Sequence, residues 1–141
     1  RLIQEYERAI EDFDFALEID PSDTWTYIER SRVYRDLKYY QKAIEDLNRA
    51  IELDPHLAWA YASRGIAYSA SEKYEQAIDD FTQALKLDPH LAWAYASRGH
   101  AYSALGKLQK AIEDFDRARE LEPHLAHPQE PQRIRTNQQA I

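Results

Sequence analysis

Apolar or small residues recur three or four positions apart along most of the chain, which is the spacing of one face of a helix. Two such sets are Tyr27, Ser31 and Tyr34, and Ala43, Leu47 and Ala50. No stretch sustains the every-second-residue alternation of a half-buried strand. The pattern predicts first helices at 23–37, 57–71 and 91–105, and second helices at 41–53, 75–87 and 109–121. The fold class is therefore predicted to be all-α.

The whole pattern repeats every 34 residues. Prolines mark the period, at Pro21, Pro55, Pro89 and Pro123. Residues 55–70 and 89–104 are identical except at Ile66 and His100. Because proline has no amide hydrogen, each one ends the second helix before it. A helix pair cannot bury its apolar face alone, so a fixed period near this length predicts pairs stacked into a solenoid.

Each unit carries the same spaced residues. The first helices share an aromatic, a small residue and a second aromatic, at Tyr27, Ser31, Tyr34; Tyr61, Gly65, Tyr68; and Tyr95, Gly99, Tyr102. The second helices share an alanine, a large apolar residue and another alanine, at Ala9, Phe13, Ala16; Ala43, Leu47, Ala50; Ala77, Phe81, Ala84; and Ala111, Phe115, Ala118. On these residues the chain resembles the tetratricopeptide repeat family over about residues 9–123. It departs from the family pattern at Ser31 in place of glycine, at Leu47 in place of an aromatic, and at Arg30, Arg64 and Arg98 in place of leucine.

The resemblance implies a right-handed α-solenoid of stacked antiparallel helix pairs. The array is expected over residues 1–125, with a half repeat at 1–22 that holds only a second helix, and full repeats at 24–57, 58–91 and 92–125. Residues 126–141 are expected to form a tail or a short capping helix. The half repeat lacks a partner helix, so Leu2 and Tyr6 are either part of a frayed helix end or part of an interface, which would form with upstream sequence or, by self-association, with another copy.

In this family the first helix of each pair lines a concave groove, and the resemblance implies the same here. The helix face opposite the tyrosines supplies, in unit order, Trp25, Ile28, Glu29, Arg32 and Arg35; Trp59, Ala62, Ser63, Ile66 and Ser69; and Trp93, Ala96, Ser97, His100 and Ser103. The three tryptophans of the chain all lie on this face. They either pack between neighbouring first helices or stay partly exposed to bind a partner's apolar side chains. An acidic group of a ligand is expected near Arg32, with apolar groups near Trp59 and Trp93.

Some family members bind the C-terminal carboxylate of chaperones through lysines, asparagines and an arginine on the groove. The corresponding positions here are Ile28, Arg32, Ser63, Trp93 and Ser97. Because only Arg32 is basic, this chain is not expected to use that carboxylate-binding mode.

Repeated charges are interpreted as structural. Acidic pairs recur at Glu11-Asp12, Glu45-Asp46, Asp79-Asp80 and Glu113-Asp114. They are spread along the stack, and adjacent residues on a helix do not face each other, so they do not form an acid–base site. Arginines recur at the same period. We hypothesise that each of Arg30, Arg64 and Arg98 pairs with an aspartate of the series Asp12, Asp46, Asp80 and Asp114 and stacks on a tyrosine.

Composition narrows the function classes. A net charge of −7 over 141 residues disfavours nucleic-acid binding, which needs clustered lysine and arginine. The chain has no cysteine, no signal peptide and no apolar run long enough for a membrane helix, so we expect a cytoplasmic protein with no membrane partner. The five histidines show no zinc spacing, and no phosphate-binding loop or nucleophile motif is present. We therefore expect no metal, no cofactor, no catalytic residue and no enzymatic activity.

These observations favour a non-catalytic scaffold for protein–protein interaction that binds a peptide or protein segment in the groove. Two alternatives stay open. In the first, the chain is a self-assembling structural solenoid that joins through its open ends and forms a homo-oligomer through the N-terminal half repeat. In the second, it is the regulatory or scaffold part of a larger enzyme.

Overall fold

A computed structural model describes residues 1–123, which form seven helices and no strand. The helices are α1 (Leu2–Ile19), α2 (Thr24–Asp36), α3 (Tyr40–Leu53), α4 (Ala58–Ala70), α5 (Tyr74–Leu87), α6 (Ala92–Ala104) and α7 (Leu108–Leu121). Every predicted helix end lies within one residue of the observed end. The tail or capping helix predicted at 126–141 lies outside the described residues. Within the described part, none of the helices is long and apolar enough to cross a membrane.

The helices stack in chain order, and the all-α solenoid predicted from the sequence is confirmed. Each helix from α1 to α7 packs against the next. The first helices α2, α4 and α6 also approach one another in turn, whereas within residues 1–123 no second helix approaches another second helix. The first helices therefore form the inner, concave layer of the stack, and the second helices form the outer layer.

Two kinds of turn connect the helices. Inside each unit the turn holds one residue with positive φ, at Lys38 (66°), Glu72 (63°) and Gly106 (78°). Gly106, just after the C-terminus of α6, adopts this conformation without steric cost. Between units, the aspartate before the proline accepts a hydrogen bond from the backbone N–H two residues later, in the pairs Asp20–Ser22, Asp54–His56 and Asp88–His90. These aspartate turns reverse the chain at the same point in each unit.

The two helices of a full unit cross where a small residue faces a large one. A Cβ atom added at Gly65 would lie 2.8 Å from the ring of Phe81, and one added at Gly99 would lie 2.8 Å from the ring of Phe115. The equivalent positions of the first unit hold Ser31 and Leu47, which are both buried. The two departures of the first unit from the family pattern therefore offset each other, because a larger residue on α2 is matched by a smaller one on α3.

Three arginines each join three helices, and we call these contacts the arginine bridges. Nε and Nη2 of each arginine donate to the two carboxylate oxygens of an aspartate on the next helix at 2.6–2.9 Å, in the pairs Arg30–Asp46, Arg64–Asp80 and Arg98–Asp114. Nη1 donates to an oxygen on the preceding second helix at 2.7–3.1 Å, from Asp14, Asn48 and Thr82 in turn. Each guanidinium also lies 5.5–6.0 Å from the centres of two tyrosine rings.

The arginine bridges confirm the hypothesised pairing for Asp46, Asp80 and Asp114. Hydrogen bonding to Asp80 raises the pKa of Arg64 above its usual range, while burial raises the pKa of the Asp80 carboxyl against the opposing effect of Arg64. Asp12, the fourth aspartate of the series, is exposed and pairs with none of these three arginines within residues 1–123. Arg30 instead bonds to Asp14 on α1.

Candidate functional site

A concave depression of about 620 Å³ opens on the inner layer, between α2, α4 and the start of α6. We call this depression the groove. It is lined by Trp25, Ile28, Glu29, Arg32, Arg35, Trp59, Ser63, Ile66 and Trp93. Ile28 and Ser63 are buried and form its floor. All nine residues belong to the helix face that the sequence indicated.

Six residues of that face do not line the groove. Ala62 is buried in the core together with Phe81. Ser69, Ala96 and Ser97 are partly buried, while His100 and Ser103 are exposed. The His100 ring contacts Phe115 edge-to-face at 5.0 Å. The groove thus ends at the start of α6, because within residues 1–123 no further first helix follows α6 to form another wall.

The three tryptophans form a row near the starts of the first helices. Trp25 is 51% exposed and Trp59 is 43% exposed, whereas Trp93 is partly buried. The ring centres of Trp59 and Trp93 lie 5.0 Å apart, and the angle between the ring planes is 47°. The indole N–H of Trp93 is buried and has no hydrogen-bond acceptor among the described residues. The row combines both interpretations of the sequence, since Trp93 packs between helices while Trp25 and Trp59 present apolar surface to solvent.

The charged residues of the groove lie on α2. Glu29 and Arg32 form an exposed ion pair at 3.1 Å. Arg35, which is partly buried one turn further along, forms no hydrogen bond or ion pair through its side chain within residues 1–123. Burial lowers the pKa of Arg35, against the smaller opposing effect of the Asp36 charge, and the positive charge of Arg32 lowers it further. Arg35 is therefore the one cation lining the groove that no side chain of residues 1–123 holds in a hydrogen bond or ion pair, and Asp36 beside it acts only through its charge.

The two ends of the stack present apolar side chains. At the N-terminal end Leu2 is exposed and Tyr6 is partly buried, and neither lines the groove. At the other end Leu108 and Ile112 of α7 are exposed. Sequence reasoning missed Ile112, although the repeat carries the signal: the equivalent residue of the first unit is Ile44, which is buried against the following first helix.

Residues that could support a metal or a reaction are not brought together. Across the described helices and turns, no three histidine, aspartate or glutamate side chains lie close enough to hold a metal ion. The buried aspartates Asp46, Asp80 and Asp114 are held in the arginine bridges, away from the groove lining.

Comparison with known families identifies the repeats directly. A family model described as "Tetratricopeptide repeat" matches residues 58–91 and 92–125, and a second model, "TPR repeat", matches residues 32–71. Together they match more than half of the chain. No curated protein has a significantly similar sequence.

Several solved structures are similar to this chain. A crystal structure of MamA superposes with a TM-score of 0.79 at 29% identity, covering 89% of this chain and 73% of MamA. The second TPR of Spaghetti (RPAP3), bound to the HSP90 peptide SRMEEVD, has a TM-score of 0.68 at 37% identity, covering 70% of this chain and 92% of that domain. The OM64 TPR domain of Arabidopsis has a TM-score of 0.72 at 28% identity, covering 81% of this chain and 95% of that domain.

Proposed function

The chain belongs to the tetratricopeptide repeat family, and we propose that it is a non-catalytic scaffold that binds a segment of another protein in the groove. The observation that carries this proposal is the exposure of Trp25 and Trp59 on the walls of a depression of about 620 Å³. Large exposed aromatics beside a concave surface are typical of binding sites. Tryptophan and arginine are also the residues most often found at the energetic centres of protein interfaces.

The shape of the groove favours an apolar side chain held between the tryptophans. Ser63 is small, so its place on the floor leaves room above α4, and Ile66 adds an apolar wall. A ligand side chain placed there would cover the exposed faces of Trp25 and Trp59, whose burial supplies the free energy of association.

A short peptide is the ligand class that the relatives support. Two TPR domains of Spaghetti (RPAP3) bind the HSP90 peptide SRMEEVD. The positions that correspond to the family's carboxylate-binding set are Ile28, Arg32, Ser63, Trp93 and Ser97 in this chain. Since Arg32 is the only basic residue of that set, we propose that binding here depends on the tryptophan row instead.

Trp59→Ala is expected to lower the affinity for a groove ligand by about 30-fold, the effect of removing an aromatic centre of a binding site. The ligand is first selected on the native protein from a phage-displayed random dodecapeptide library, then synthesised and titrated by calorimetry. Phe15→Ala is the matched control, because Phe15 is an aromatic residue that is 63% exposed outside the groove. Equal affinities for the Trp59→Ala variant and the native protein would show that the ligand binds elsewhere.

The second candidate function, self-assembly, rests on the exposed apolar residues at both ends of the stack, Leu2, Leu108 and Ile112. If the ends join, the molecular mass rises with protein concentration in light scattering. Leu108→Glu with Ile112→Glu should then return the protein to a monomer, because unpaired carboxylates would be buried in an apolar contact. A constant monomer mass in the native protein would rule this function out.

A further inference from the structure

Arg35 differs from the arginines of the arginine bridges. In the arginine bridges each guanidinium donates two hydrogen bonds to one carboxylate, as Arg64 does to Asp80. Arg35 lines the groove and makes no such bond with any described residue. A carboxylate that forms a bidentate pair with a partly buried guanidinium is bound more strongly than one that pairs with a fully solvated guanidinium, since water screens the buried pair less.

Arg32 is less suited to this role. It is exposed and already pairs with Glu29 at 3.1 Å, so a ligand carboxylate would compete with Glu29 for it. Glu29, Arg32 and Arg35 together give the groove a formal charge of about +1, in a chain whose net charge is −7. Such a surface favours one carboxylate at one place and repels an extended polyanion.

The distance between Arg35 and the tryptophan row predicts how far apart the two recognised side chains of a ligand lie. Trp25 lies in the first turn of α2 and Arg35 in its last turn, ten residues later. At 1.5 Å of rise per residue, their Cα atoms are about 15 Å apart along the helix. An extended peptide advances about 3.3 Å per residue, so this distance corresponds to about four or five peptide residues.

We propose that the groove recognises an acidic peptide segment in which an aspartate or glutamate pairs with Arg35 and an apolar side chain about four residues away binds between Trp25 and Trp59. This inference rests on the proposed function and names its ligand class. Arg35 supplies selectivity for the carboxylate and fixes the register of the segment, while the tryptophans supply most of the contact area.

The test compares selections from a phage-displayed random dodecapeptide library on the native protein and on Arg35→Ala. Peptides selected on the native protein should be enriched in Asp or Glu about four residues from a bulky apolar residue, and the acidic preference should disappear with Arg35→Ala while the apolar preference stays. For one enriched peptide, replacing its Asp or Glu by Asn or Gln should weaken binding to the native protein about 10- to 100-fold. The same replacement should change the affinity for Arg35→Ala by less than about 3-fold.

Two further variants separate the possible failures. Arg49→Ala removes an arginine outside the groove that pairs with Glu52, and it should leave the acidic preference unchanged. Arg35→Lys keeps the positive charge but cannot donate two parallel hydrogen bonds to one carboxylate. Its affinity for the acidic peptide should therefore lie between those of Arg35→Ala and the native protein. An unchanged acidic preference in Arg35→Ala overturns this inference, and if Trp59→Ala still abolishes selection, the proposed function stands. A selection insensitive to both Arg35→Ala and Trp59→Ala overturns both.

Discussion

Phe81→Ala is expected to lower the free energy of unfolding by about 4 kcal/mol, the middle of the range for removing a buried aromatic ring. Phe81 is fully buried on α5 and its ring fits against Gly65 on α4. The buried residues that share its core cluster are mostly alanines, including Ala62 and Ala84. Because these short side chains cannot extend into the space that the ring leaves, the cavity stays open and its full cost is felt.

Urea denaturation followed by far-UV circular dichroism measures this change. Phe15→Ala is the control: its ring is 63% exposed, so its removal should alter the free energy by less than about 0.5 kcal/mol. A loss of less than about 1 kcal/mol on Phe81→Ala would mean that the helices close over the cavity. The crossing of α4 and α5 would then be far more adaptable than its packing indicates.

Asp80→Ala is expected to lower the free energy of unfolding by about 3 kcal/mol, because it leaves the partly buried guanidinium of Arg64 without its carboxylate. The remaining hydrogen bond, to Asn48 at 2.8 Å, does not neutralise the charge. Removing both charges should cost less than removing one. We expect Arg64→Leu with Asp80→Leu to be more stable than Asp80→Ala, since no unpaired charge is then buried.

The comparison is made by urea denaturation on all variants. Glu52→Ala, which breaks the exposed pair between Arg49 and Glu52 on α3, should cost no more than about 0.5 kcal/mol. If the double variant were as unstable as Asp80→Ala, the arginine bridges would contribute through packing geometry rather than through charge pairing.

The helices could be predicted from the sequence because two independent signals coincide in every unit. The three-and-four spacing of residues such as Ala43 and Leu47 defines a helix face, and a proline such as Pro55 ends the helix that precedes it. The pairing of Arg64 with Asp80 was also predictable, because both residues recur with the same period. The same periodicity could not show which aspartate of the series has no arginine partner. Asp12 has none because the first helix that would carry that arginine is not part of the described stack.

The groove was only partly predictable. Helical periodicity shows which side of a helix a residue lies on, but it does not show which residues of other helices lie next to it. Ala62 shares the helix face of Trp59, yet it is buried against the paired helix. The sequence placed the ligand's acidic group near Arg32, whereas the coordinates show Arg32 paired with Glu29 and Arg35 unpaired. The spacing of Glu29 and Arg32, three residues apart on one helix, is the signal that indicates their pairing.

The arginine bridges and the helix crossing use matched residues inside each unit, whereas the contact of each arginine with the preceding unit varies in residue type. This difference bears on where segments of two units could be exchanged. Within a unit, the arginine always meets an aspartate, and the size of the residue at Gly65 is matched to the size of Phe81. Between units, the same arginine accepts Asp14, Asn48 or Thr82 as its third partner, because any of the three supplies an oxygen. An exchange at an Asp-Pro turn keeps every matched pair together, whereas one inside a unit would set Ser31 against Phe81. The helix pair from one proline to the next is therefore the unit that can be copied whole, and such a copy would lengthen the solenoid without repacking its core.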